Sequence, residues 1–190
     1  MSFMRRSKWT YTTGAGGGAG FEFVMATGGD IILADPQGKP QSFGYGGVGV
    51  GLSWSIKIPK IKLPKFSIPE VKLAKVGGHS VGATGSTFDF PSYGDIFITP
   101  SFHGAELTRA DLQGSILYID ASIGLIYGWG GDLMLLGIDT PMFLLGLSNP
   151  AFSMLMEDAV AHAPALLFMR GRTLGLQAGA SIGILAGYMH

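Results

Sequence analysis

The chain has 190 residues, thirteen basic and thirteen acidic side chains, no cysteine, and 31 glycines, about a sixth of its length. Hydrophobic residues reach 47% against 14% charged, which excludes a disordered tail, since that needs few apolar residues and high net charge. Zero net charge leaves no footprint for nucleic-acid phosphates, and the missing cysteines remove disulfide frameworks, zinc fingers and thiol catalysis.

That length is room for one domain, read here as 1–190. Arg5, Arg6 and Lys8 could open a signal peptide. Thr10–Gly18 follows with no apolar stretch, so no cleavable signal is expected. The protein is then made in the cytoplasm, and any role outside it requires a dedicated export machine. The glycine-rich run Gly14–Gly20 lacks the Lys-Ser/Thr ending of a phosphate loop.

Phe21–Thr27 and Asp30–Ala34 read as two strands with Gly28-Gly29 between them, and Asp35-Pro36-Gln37-Gly38 reads as a tight turn. Gly47–Ile56 alternates for ten residues: Val48, Val50, Leu52, Trp54 and Ile56 share one face, with only glycine and serine on the other. Residues 57–76 form a Lys/Pro-rich extended segment, because Pro59, Pro64 and Pro69 forbid a helix. Its lysines, Lys57, Lys60, Lys62, Lys65, Lys72 and Lys75, suit docking on anionic lipid headgroups. Equally, lysine and proline blunt the edge of a sheet against aggregation.

Asp95–Thr99 and Ser115–Asp120 read as further strands, with a turn or single helical turn at Thr108–Asp111 between them. Asn149 before Pro150 is an N-cap signal, and Ala151–His162 runs without breakers until Pro164. Leu133–Leu147 is ambiguous between helix and strand. Together these patterns predict a mainly β fold, a glycine-rich antiparallel sandwich or barrel with one or two short helices in 133–163.

Residues 112–190 are poor in charge, and Thr173–Met189 has none in 17 residues. Gly171, Gly175, Gly179, Gly183 and Gly187 recur every fourth residue, and Gly124 and Gly128 repeat the spacing once more. On a helix in lipid such glycines form a smooth ridge that lets backbones approach closely. The same stretch also fits period 2, with Leu174, Leu176, Ala178, Ala180, Ile182 and Ile184 opposite Gly175, Gln177, Gly179, Ser181 and Gly183. In water the strand is expected, since five glycines at about 1 kcal/mol each weaken a helix. In a bilayer the helix competes, because its backbone hydrogen bonds are internal.

Gly78-His79-Ser80-Val81-Gly82 matches the G-x-S-x-G elbow of lipases and esterases, and Asp132 or Asp139 with His162 would complete a triad on Ser80 in that family's order. The proline-studded repeat before it and the stretch 83–91 after it are poor substitutes for the strand and helix an elbow needs. No enzyme activity is expected. The four histidines show no ligand spacing, so neither metal nor cofactor is expected. Asp120, Asp132 and Asp139 sit alone in apolar surroundings; inside a membrane they would line a cation path, and otherwise they mark turns.

On the Gly171–Gly187 ridge, the Gly124/Gly128 pair and its overall character, the chain resembles the small glycine-zipper pore-forming effectors of bacterial type VI secretion. The resemblance implies an antibacterial toxin that inserts in a target membrane and conducts ions. Its partners would be membrane lipids, secretion machinery, an immunity protein and further copies of itself. The expected mechanism has the C-terminal segments leave a β-structured core on meeting lipid. Alternative readings are a soluble sandwich or barrel binding an apolar ligand or protein partner, and the small hydrolase.

Overall fold

A computed structural model describes residues 4–21, 24–51, 87–89, 93–119, 132–170 and 182–190. Nine strands, β1 (Arg5–Phe21), β2 (Val24–Ala34), β3 (Pro40–Gly51), β4 (Thr87–Asp89), β5 (Tyr93–Ile98), β6 (Gly114–Ile119), β7 (Asp132–Ile138), β8 (Ala165–Arg170) and β9 (Ile182–Met189), form one sheet. Every described pairing is antiparallel. Going round, the order is β2-β3-β9-β6-β7-β8-β5-β1, and β1 pairs again with β2, so eight strands close a barrel. The short β4 pairs with β1 beyond β5. The mainly β expectation holds, in its barrel form.

Strand pairing fixes the tilt. The ladder leaving β1 at Phe21 passes through Val24, Val50, Ile184, Ile119, Leu133, Phe168 and Asp95 and returns to β1 at Thr10, eleven residues lower. For eight strands, so large a stagger means a tilt of roughly 45°.

Period 2 then sorts the side chains into two cores. Trp9, Tyr11, Ile31, Leu33, Phe43, Ile96, Ile116, Met134, Leu167 and Met189 meet inside the barrel, where Trp9 and Phe43 pack edge to face at 6.0 Å. Phe97, Leu117, Leu133, Leu135, Leu166 and Phe168 point the other way, under two helices. These are α2 (Thr140–Ser148) and α3 (Ser153–Ala161), joined by the 3-10 turn Pro150–Phe152; α1 (Arg109–Leu112) is a single turn. Strands buried on both faces have continuous apolar sequence, which is why Leu133–Leu147 was ambiguous. It divides into β7 and α2, with Asp139 between them as the N-cap, its Oδ1 accepting from the Met142 amide at 2.9 Å.

A bulge ends β7. Gly137 takes φ +71°, where a Cβ would run into the Asp111 carbonyl oxygen, and the extra residue moves Ile138 to the outer core. At the helix crossing, a Cβ on Gly146 would lie 2.5 Å from the Met156 amide nitrogen, so glycine sets how closely α2 and α3 approach.

One expectation changes in detail. Phe21–Thr27 and Asp30–Ala34 are not separate strands: β2 runs unbroken through Gly28 and Gly29, which pair with Gly17 and Gly16 on one side and Gly46 and Tyr45 on the other. Gly14–Gly20 is strand as well, held by ladders to β2 and β4 despite glycine's poor β propensity.

Candidate functional site

One end of the barrel is capped by polar and aromatic side chains. The β2–β3 turn is braced by Asp35, whose Oδ1 accepts from the Gln37 and Lys39 amides at 3.0 and 2.9 Å. Those bonds hold its carboxyl below the ordinary Asp range: the Lys39 amide lowers it most and outweighs the cost of desolvation. Leu107 and Leu112 enter the inner core from below, and the Trp9 indole donates to the Leu107 carbonyl at 2.8 Å. Arg109 reaches across to Gln41 Oε1 and the Ser42 carbonyl, and its guanidinium lies 4.3 Å above the Phe43 ring centre. Burial alone would raise the Glu106 carboxyl. Hydrogen bonds from the Ser7 hydroxyl and the Leu107 and Lys8 amides, with Arg5 nearby, hold it low instead.

Among the described residues Asp95 is the buried charge, only 3% exposed and paired with the half-exposed Arg6. Desolvation pushes its carboxyl up, and the Arg6 charge only partly offsets this. Its second oxygen, Oδ2, is buried without a hydrogen-bond partner among the described residues. Replacing Arg6 with leucine should lower stability near neutral pH by about 1–3 kcal/mol, because a buried carboxylate is left unpaired. Asp95 has a folded-state pKa raised above the unfolded one, so its ionisation opposes folding and stability grows as pH falls through that pKa. The Arg6→Leu loss should therefore shrink in mildly acidic buffer, and Asp95→Asn in that background should recover most of it. Urea unfolding in neutral and acidic buffer reads this; an equal loss in both would contradict it.

The opposite, glycine-rich end is arranged differently. Registers place Gly14, Gly16, Gly18 and Gly20 of β1, Met25, Thr27 and Gly29 of β2, Gly47 and Gly49 of β3, and Leu185 and Gly187 of β9 at inner-face positions. Ala19, Phe21, Val24, Ala26, Val48, Val50 and Ile184 hold outer-face positions. No charge falls in 9–21 of β1, 24–29 of β2, 40–51 of β3 or 182–189 of β9; Asp30, exposed and hydrogen-bonded to Ser42, is the first acid met along β2.

A second apolar surface lies on the helices. Leu144, Leu145, Leu147, Phe152 and Met154 are all exposed, Met154 at 79%. The sequence signal for it was the uncharged run 140–156, which a buried helix would share. Among the described residues no helix is long and apolar enough to cross a membrane, a statement that does not touch strands.

The residues singled out from the sequence separate as follows. Gly183 and Gly187 lie in β9, Gly183 at a bulge where β9 slips one residue against β3. A Cβ on Gly187 would meet the Gly46 carbonyl oxygen, with Gly47 Cα at 3.0 Å. Asp132 opens β7 opposite Met169. His162 caps α3 at the surface, its Nδ1 2.9 Å from the Asp158 carbonyl oxygen and 3.2 Å from Oδ1. Ser80, Asp120, Gly124, Gly128, Gly171, Gly175, Gly179 and Lys57, Lys60, Lys62, Lys65, Lys72 and Lys75 lie outside the described residues. Among the described residues, no three His, Asp or Glu side chains gather to hold a metal.

Compared with known proteins, the chain is 32% identical over 180 residues to Toxin protein Tse4 of Pseudomonas aeruginosa, covering 95% of this chain and 88% of the other. The chain belongs to the Tse4 toxin family. No protein-family model and no solved structure matches it. Because the shared length takes in nearly the whole chain, this Tse4 relative aligns with both ends of the barrel.

Proposed function

We propose that this Tse4-family protein is an antibacterial effector that a type VI secretion machine delivers, and that it inserts into a target-cell membrane and dissipates ion gradients. The observation that carries the reading is its likeness to a toxin along nearly the whole chain; the uncharged, apolar outer positions at the glycine end agree with it. The chemistry needs no catalytic residue and no cofactor. Lys57, Lys60, Lys62, Lys65, Lys72 and Lys75 serve as contacts to anionic headgroups, and Asp120 and Asp132 as acids along the ion path. Asp139 contributes to that path only at the cost of its helix-capping bond.

An eight-stranded barrel is just wide enough for its interior to be filled by side chains, and at the capped end it is filled. One chain therefore offers no through-channel there, and conduction calls for several copies in the membrane. A producing cell is protected by an immunity protein.

The test is depolarisation. Purified protein added to anionic vesicles holding a potassium diffusion potential should collapse it, and Gly179→Leu with Gly183→Leu should abolish the collapse. Vesicles that keep their potential at every protein dose would overturn the reading.

A further inference from the structure

We infer that the glycine end of the barrel is the surface that enters the bilayer, and that it does so as β-strands, its outer-face positions against the hydrocarbon. This rests on the membrane-active reading above and replaces the expected helical ridge with a strand surface.

The ground is an inversion of amphipathic sense along single strands. At the capped end the barrel is built like one in water: Trp9, Tyr11, Ile31, Leu33, Phe43 and Tyr45 are inside and buried, while Lys8, Asp30 and Ser42 are exposed. Past Tyr11, Ile31 and Tyr45 the sense reverses. Inner positions become mostly glycine, with Met25 and Thr27 among them, while outer positions carry Ala19, Phe21, Val24, Ala26, Val48 and Val50 alongside Gly17, Gly28 and Gly46. Register pins this, because Tyr45 pairs with Gly29 and Met189, and two residues on Gly47 pairs with Thr27 and Gly187. A barrel half with apolar residues outside and small or polar ones inside matches the pattern of strands that cross membranes.

Length agrees. Past Tyr11, β1 runs ten residues without a charge, Thr12 to Phe21, and a membrane strand tilted about 45° needs roughly 9–11. The eleven-residue stagger of this barrel gives that tilt. Asp30 marks the water boundary on β2. The outer apolar positions run across β1, β2, β3 and β9, four neighbouring strands that make up the side of the barrel away from α2 and α3.

The natural absence of cysteine makes the test clean. Single cysteines replace the outer-position residues Val24, Val48, Val50 and Ile184 and the inner-position residues Met25, Gly47, Gly49 and Leu185. Each variant is labelled with nitrobenzoxadiazole and mixed with vesicles of phosphatidylethanolamine and phosphatidylglycerol. Labels at the outer positions should brighten several-fold and be quenched by nitroxides on the lipid chains; labels at inner positions should do neither. Met25→Cys and Leu185→Cys keep the inner set informative if the glycine variants misfold, which circular dichroism in water reports. Depolarised vesicles in which the inner-position labels brighten as much as the outer ones, or in which the outer ones do not brighten, would overturn the inference and leave the pore reading standing. Alternating brightening in vesicles that keep their potential would support the inference and overturn the pore reading.

Discussion

Lysine at both Val48 and Val50 should leave the protein folded in water and raise the dose needed to depolarise vesicles at least about 100-fold. Both residues hold outer-face positions on β3 beyond the Tyr45 level. Their outer-face register predicts that a lysine there extends into water, so far-ultraviolet circular dichroism and the urea midpoint should hardly move. In lipid the same charge faces hydrocarbon, at about 2–4 kcal/mol each near the midplane and less toward the interface. At 1.4 kcal/mol per tenfold, two such charges at the low end of the midplane cost, about 2 kcal/mol each, exceed a hundredfold. Ser42→Lys is the control, since Ser42 lies on β3 among the exposed residues of the capped end, and its activity should match the wild type. A double lysine variant as active as the control would mean that these positions never meet lipid.

Gly187→Ala should destabilise the protein in water by about 1–3 kcal/mol, the range for forcing a methyl group into a packed site. The added Cβ would strike the Gly46 carbonyl oxygen and sit 3.0 Å from Gly47 Cα, both backbone atoms that no rotamer change can move aside. Gly46→Ala is the matched control: a Cβ there finds nothing within 4 Å, and its urea midpoint should stay near wild type. On the helical-ridge view Gly187 matters only once the chain is in lipid, so alanine would leave unfolding in water unchanged. The barrel makes the same glycine a requirement for β3 and β9 to lie side by side.

Much of the architecture was legible because it depends on local periodicity. Gly47–Gly51, Ser115–Ile119 and Asp95–Ile98 are strands as their alternation or β-branched content indicates, and Thr108–Asp111 opens a single helical turn capped by the reciprocal bonds of Thr108 and Asp111. Asn149 does cap a helical segment, accepting from the Ala151 amide, but the first turn it starts is 3-10. What stayed hidden depended on partners far along the chain. Nothing local says that Gly14–Gly20 is strand; ladders to residues 25–31 and 87–89 hold it so. The same holds for Gly187, whose four-residue spacing from Gly183 suits a helix until β3 and β6 are seen on either side of it.

By itself the sequence determined the material: a cysteine-free, charge-poor, glycine-rich chain whose apolar residues alternate, and hence a sheet with its longer helices where Leu133–His162 departs from that period. Only the tertiary structure decided that the sheet closes and which face of each strand is inside. A period-2 pattern defines two faces without naming either as the core. Closure names them: the buried rings of Trp9, Phe43 and Tyr45 fix the inside at one end, and register then carries the glycines to the inside and the valines to the outside at the other.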